Sequence, residues 1–247
     1  MRIISWNIQM GGGKRHRQIV DAVLSHDPDV MALSEFRANS GARLSSVFAS
    51  NGWRYLQSTN PVGREHGLCV ISRTPMVRGT RCVVPQESCL RWLEVEFPEY
   101  GFGVGVVHIP CSTQKRKSRM QDEPKARFWD AILRSAEGRL DERFLFIGDF
   151  NTGAHGVDEQ GKTFVCAEHF AKLSSLRWTD AWRQHNPDTT EWTWYSRRKG
   201  GVRGNGFRLD HAFATPTLKP RLSACRYSHE ERERGASDHS VLVLDIE

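Results

Sequence analysis

An α/β fold is predicted for this 247-residue chain by the order of its hydrophobic segments, by what stands at their ends, and by the lack of a linker. Short apolar runs of strand length alternate with stretches of helical period, an order that builds sheets covered by helices. Several of those runs end in an acid, an amide or a histidine. No Pro/Gly/Ser-rich stretch divides the chain, and mixed-sheet folds of this size often share one core, so residues 1–247 are expected to form a single domain.

Arg2 to Trp6 reads as a strand that stops at Asn7, before the loop Gly11-Gly12-Gly13. Ile19, Val20, Val23 and Leu24 fall at helical spacing, and Asp27-Pro28 ends that helix. Val30 to Leu33 is again an apolar strand, with Glu35 just past it. His66 to Ser72 and Arg91 to Phe97 read as strands, and Gly103 to Val107 carries His108 at its end. The basic segment Lys115 to Arg119 leads into a helix with Phe128, Ala131 and Ile132 on one side; the segment either meets phosphates or is a solvated surface loop.

Phe144 to Ile147 is too short for a helix and is bounded by Gly148, which favours a buried strand. Side chains two apart on a strand share a face, so Asp149 and Asn151 are expected to point the same way. Gly-Asp-x-Asn is equally turn chemistry, and both readings stand at this point. Phe164 to Leu176 is predicted to be a helix and Arg208 to Ala214 a strand carrying Asp210. Ser237-Asp238-His239 precedes a final strand, Ser240 to Ile246.

The net charge of +6 comes mostly from arginine, whose planar fork suits phosphates, so polyanionic partners are favoured. The six cysteines show no Cys-x-x-Cys spacing and are expected to be reduced, in a cytoplasmic setting. No secretory leader can be drawn from Met1-Arg2 onward, and no run is long enough to span a membrane.

The polar residues at strand ends are Asn7, Glu35, His108, Asp149, Asn151, Asp210, Asp238 and His239. Gathering such carboxylates at one sheet edge costs energy unless a cation neutralises them. Carboxylate and amide oxygens suit Mg²⁺, with Mn²⁺ as a substitute, and Glu35 is the first candidate ligand.

Ser5-Trp6-Asn7, Ser34-Glu35, Gly148-Asp149-Phe150-Asn151, Arg208-Leu209-Asp210 and Ser237-Asp238-His239, in this order and spacing, resemble the motifs of the endonuclease/exonuclease/phosphatase superfamily. The resemblance implies a four-layer α/β sandwich: two mixed β-sheets packed face to face with helices outside and an active site at one rim. Leu176 to Pro187, Trp192 to Tyr195 and Gly206 to Asp210 look like the exonuclease III branch of apurinic/apyrimidinic endonucleases. In that branch an apolar pocket receives a flipped-out abasic sugar, and Trp194, Phe207 and Leu209 stand at the matching positions; the competing reading makes them core aromatics and aliphatics.

On this resemblance Glu35 holds the metal with Asn7 and Asp238 in support, Asp149 orients or deprotonates water, and Asn151 holds that water to the phosphate. His239 donates to the phosphate with Asp210 behind it, and His108 is a second donor. Arg37, Arg197 and Arg198 are expected to touch substrate, with Arg203 nearby. The implied activity is Mg²⁺-dependent cleavage of double-stranded DNA at abasic sites by a monomer, with 3′-5′ exonuclease or 3′-phosphodiesterase activity as a companion. Gln9, His108 and Cys111 depart from the branch's usual Asp or Asn, Tyr, and Asn or Gln. They keep open an alternative, an unspecific nuclease or a phosphoesterase acting on RNA or a small phosphoester.

Overall fold

A computed structural model of the chain describes residues 1–80, 82–111, 123–161 and 164–247. The expected basic segment Lys115 to Arg119 lies outside them.

The first half opens with β1 (Arg2–Asn7), α1 (His16–His26), β2 (Val30–Phe36), α2 (Ala38–Ser50), β3 (Tyr55–Ser58), β4 (Gly67–Ser72) and the short β5 (Val77–Arg78). It continues through β6 (Trp92–Phe97), β7 (Phe102–His108), α3 (Glu123–Glu137) and β8 (Phe144–Asp149). The rest comprises α4 (Ala167–Ser175), β9 (Thr179–Asp180), α5 (Ala181–His185), β10 (Trp194–Arg197), β11 (Arg203–Phe207), β12 (Asp210–Ala214), β13 (Leu222–Ser228), α6 (Glu230–Glu233) and β14 (Val241–Ile246).

Two six-stranded sheets run in the orders β13-β14-β1-β2-β4-β3 and β5-β6-β7-β8-β12-β9, and β10 and β11 form a separate hairpin. Both sheets are mixed: β1 and β2 are parallel, as are β7 and β8, and the other neighbours are antiparallel. The period of two along each strand sorts residues between layers. Ile3 of β1 packs with Leu145 and Ile147 of β8 in the core between the sheets. Ile4 and Trp6 face α1 and α2 through Ile19, Val23, Leu44 and Phe48. Phe144 and Phe146 face α3 and α4 through Phe128, Ile132 and Phe170. Helices, sheet, sheet and helices are the four layers expected from the sequence.

The same alternation positions the polar strand ends. Asn7 shares a face with Ile3, and Asp149 shares one with Leu145 and Ile147, so both end their strands on the face between the sheets. In register, His108 pairs with Asp149 across β7 and β8, and Asp149 pairs with Asp210 across β8 and β12. Three adjacent strands thus deliver three polar side chains side by side. Gly148 makes this approach possible: at its φ of +144° a Cβ would stand 2.0 Å from the Val107 carbonyl oxygen.

Several expectations are corrected. The helix predicted from Phe164 to Leu176 is confined to Ala167–Ser175. The strand expected from Arg208 begins at Asp210, because Arg208 is drawn aside into ion pairs. The helix α2 and the hairpin were not anticipated from the apolar pattern. No helix among the described residues is long and apolar enough to cross a membrane.

Candidate active site

Asn7 joins the two sheets at the rim. Its amide donates to Glu35 Oε1 at 3.2 Å and to Asp149 Oδ2 at 3.1 Å, while its own oxygen accepts from the Gln9 amide at 2.9 Å. Glu35 reaches this position through a β-bulge: Ser34 and Phe36 pair with the consecutive residues Leu68 and Gly67, and Glu35 between them has φ +56°. A left-handed φ at a non-glycine residue is strained, and a bulge re-aims a side chain that the regular pleat would have sent to the outer face. Glu35 Oε2 accepts from the Met10 amide at 2.7 Å, and His66 Nδ1 lies 3.6 Å away.

Asp149, Asp210 and His239 form the most enclosed part of the site. Their candidate ligand atoms all lie within 4.8 Å of one another, and all three residues are buried. His239 donates from Nδ1 to Asp210 Oδ2 at 3.0 Å, and its Nε2 lies 3.9 Å from Asp149 Oδ2. Burial opposes charge on His239, but Asp210 and Asp149 outweigh it and hold the ring as an imidazolium with its pKa pushed up to about 10. Burial also pushes the Asp149 carboxyl up to about 7, aided by Asp210 and opposed by His239 and the Asn7 and Asn151 hydrogen bonds. His108 Nε2 stands 3.7 Å from Asp149, beyond hydrogen-bond reach. Burial, Arg91, His239 and His66 lower its pKa and keep it neutral.

The run after β8 satisfies both readings of its sequence. The Asn151 amide donates to Asp149 Oδ1 at 2.9 Å, closing an Asx turn, and Asn151 itself has φ +47°. Its side chain donates to the Ile109 carbonyl at 2.9 Å, which uses one of its two N–H donors. Asn151 is therefore beside Asp149 and anchored, at the rim where the turn delivers it.

Asp238 is tied to the hairpin: its carboxylate accepts from Trp194 Nε1 at 3.2 Å and lies 3.8 Å from Arg197. Trp194 and Phe207 pair directly across that hairpin with ring centroids 5.9 Å apart, and both pack against buried Leu209 and Phe164. The Trp194 ring is 6.4 Å from His239, so this apolar patch borders the charged cluster. Arg197 and Arg203 line a cleft of about 490 Å³ with Tyr195, Arg232 and Asp238. Arg198 donates to Asn205 within the hairpin at 3.3 Å, and Arg37 bonds the His66 ring.

Other residues of the site carried no signal in the sequence. Arg91 donates to the His108 carbonyl at 3.3 Å and feels the charges of Asp149 and Glu35. Lys125 is buried and donates to the Asn151 carbonyl at 2.6 Å. Thr193 Oγ1 accepts from the Leu209 and Asp210 amides at 2.9 and 3.3 Å, fixing where β12 begins. Arg208 grips Asp158 with two bonds of 2.8 and 2.9 Å and Asp180 at 2.6 Å, directly before the site strand. His211 is fully buried, with Nε2 facing the Thr152 and Arg208 carbonyls at 2.9 and 3.0 Å. Only the chain's long-range topology brings these groups together.

The donor set fits a hard divalent cation. Asp149 and Asp210 present carboxylate oxygens in a desolvated pocket, and Asp210 Oδ1 is buried without a hydrogen-bond partner among the described residues. Glu35 offers a further carboxylate, linked to Asp149 through the Asn7 amide nitrogen, which donates to both.

Known proteins share this architecture. At 24% identity over 263 residues, covering 99% of this chain and 81% of its own length, the chain resembles the DNA repair nuclease APEX1 of Danio rerio. An AP endonuclease from Archaeoglobus fulgidus superposes with a TM-score of 0.84 at 19% identity, over 100% of this chain and 99% of that one. The 3′ phosphatase NExo from Neisseria, solved bound to product DNA hairpin, gives 0.82 at 20% identity, over 100% and 99%. At such identity the structural likenesses establish the fold. The sequence profile of the Endonuclease/Exonuclease/phosphatase family matches residues 4–239, a span that takes in every motif from Ser5 to His239, and the chain belongs to that family.

Proposed function

We propose that the chain is a Mg²⁺-dependent phosphodiesterase that cuts double-stranded DNA beside abasic sites and trims 3′ ends, acting as a monomer in the cytoplasm. The observation that carries this reading is the buried Asp149–His239–Asp210 group bordered by the Trp194, Phe207 and Leu209 patch. A carboxylate base and an imidazolium donor, beside an apolar recess, match phosphate hydrolysis next to a deoxyribose without its base.

Asp149 takes the proton of the attacking water; a carboxyl pushed up to about 7 accepts it at neutral pH. Asn151, held by its Asx turn, keeps that water aligned with the phosphate. His239 donates from Nε2 to a phosphate oxygen while Nδ1 stays on Asp210. The carboxylates of Asp149, Asp210 and Glu35 would hold a divalent cation, which when bound would supply positive charge against the negative charge developing on the phosphate. The basic cleft of Arg197, Arg203 and Arg232 receives the flanking backbone. The relatives' names, a DNA repair nuclease and an AP endonuclease, support DNA as the substrate class.

The test is cleavage of end-labelled duplex DNA with and without one abasic-site analogue, in Mg²⁺ and in EDTA. A single Mg²⁺-dependent cut at the analogue is expected. Equal cutting of both duplexes would discard the abasic specificity, and cutting in EDTA would discard the metal.

A further inference from the structure

The sulfur atoms of Cys82 and Cys89 stand 3.2 Å apart. Their other polar contacts are longer, 3.8 Å from Cys82 to the Val84 carbonyl, and 3.9 and 3.8 Å from Cys89 to the Pro85 carbonyl and Gln86 Oε1. Each sulfur therefore has the other as its nearest polar neighbour, and a modest rotation would bring the pair to the ~2.05 Å of a disulfide. Nothing in the cysteine spacing suggested this pairing; the backbone turn at Pro85 and the short 3-10 helix Gln86–Arg91 bring the two together.

We propose that Cys82 and Cys89 form a reversible thiol–disulfide site, oxidised by a small disulfide such as oxidised glutathione. Cys82 is exposed and meets the oxidant first, whereas Cys89 is partly covered. The Cys82 thiolate attacks one sulfur of the oxidant, forming a mixed disulfide and releasing one glutathione thiolate. Cys89 then loses its proton to solvent and attacks the Cys82 sulfur, releasing the second glutathione. Two protein thiols are oxidised to one disulfide, and one oxidised glutathione is reduced to two thiols. Burial and the neighbouring Cys82 push the Cys89 thiol up to about 11, which assigns the first attack to Cys82 and the resolving attack to Cys89.

The place of the bridge gives it a consequence. Cys89 lies two residues before Arg91, which immediately precedes β6 and donates to the His108 carbonyl beside the acidic cluster. Glu87 on the same turn pairs with Arg127 of α3, and Thr59 donates to the Leu90 carbonyl at 3.2 Å. A covalent ring over residues 82–89 fixes the strap that presents Arg91.

The experiment incubates the full-length protein in glutathione buffers of graded redox ratio, quenches with acid, alkylates the remaining thiols, and maps peptides by mass spectrometry. Expected is a linked peptide pair holding Cys82 and Cys89, a loss of two alkylatable thiols with a mass decrease of about 2 Da, reversal by dithiothreitol, and no bridge in either Cys82→Ser or Cys89→Ser. Cys82 and Cys89 both remaining alkylatable at ratios where exposed Cys111 is glutathionylated would overturn the proposal. So would a stable glutathione adduct on Cys82 with Cys89 free, or a bridge to any other cysteine.

Discussion

His239 Nδ1 and Asp210 Oδ2 are joined by a buried hydrogen bond of 3.0 Å that leaves Nε2 facing the Asp149 side of the site. The bond fixes the ring orientation, and the Asp210 charge is the largest influence favouring the imidazolium against burial. Asp210→Asn keeps the shape and removes that charge. Turnover is expected to fall by on the order of 10² to 10⁴. In the metal-free protein the His239 ring should titrate well below its present value of about 10, because burial then prevails; NMR of the ring protons reads this directly. An unmoved titration would remove Asp210 from its positioning role.

Replacing Asp149 tests the base. Asp149→Asn should lower turnover by on the order of 10² or more with the fold retained, as read by circular dichroism and a cleavage assay. The variant also removes a carboxyl that burial disfavours when ionised. Its folded value near 7 lies above the ordinary 3.8, so the folded state holds a proton that the unfolded state has released between those values. Metal-free wild type should therefore lose stability as pH rises through this window, and the variant should lose less.

Metal removal separates the two oxygen sets. EDTA should abolish turnover, and Mg²⁺ should restore it and raise the melting temperature, since a cation that binds the folded state alone stabilises it by about 2.7 kcal/mol at 100 times its Kd. Glu35→Gln should raise the Mg²⁺ concentration for half-maximal activity about 10- to 100-fold. A wild-type Mg²⁺ response in that variant would assign the ion to Asp149 and Asp210 without Glu35.

Arg208 is a stability prediction made outside the reacting groups. Its guanidinium is fully buried between Asp158 and Asp180. Burial opposes ionisation of both carboxyls, yet Arg208 outweighs it and holds each below the usual range. Arg208→Leu leaves two buried carboxylates without their main partner and should cost about 3–5 kcal/mol by urea unfolding. The wild-type pair should contribute its stability above the unfolded carboxylate value and lose it as pH falls through the lower folded values. The acid-unfolding limb should flatten in the variant.

The strand ends were legible because each borders an apolar run, so Asn7, His108, Asp149 and Asp210 could be collected before their register was known. The four layers followed from the motif resemblance, and in the structure the alternation of faces along β1 and β8 builds them. Glu35 was found by sequence, but the bulge that turns it inward was not, since periodicity describes only the regular pleat. Asp238 was placed beside the metal on the motif resemblance, and its tie to the hairpin was not legible: successive side chains diverge there, Asp238 bonding Trp194 and His239 bonding Asp210. Arg91, Lys125 and Thr193 act through contacts with residues 16 to 26 positions away, for which no local spacing exists. The helix α2 was missed because its Ser, Gly and Arg residues dilute the apolar period around Leu44 and Phe48.

Phe207 offers the sharpest test of substrate choice. It pairs with Trp194 across the hairpin, packs on Phe164 at a centroid distance of 5.7 Å, and forms no hydrogen bond through its side chain to the charged cluster. Trp194, by contrast, also holds Asp238, so its removal would disturb two functions at once. Truncating one apolar wall of a recess changes discrimination by about 1–3 kcal/mol. Phe207→Ala should therefore reduce the ratio of cleavage at an abasic analogue to cleavage of intact duplex about 10-fold or more, while removal of a 3′-terminal phosphate, which needs no flipped sugar, changes little. A preserved ratio would return Trp194, Phe207 and Leu209 to the status of core packing and shift the substrate reading toward end processing.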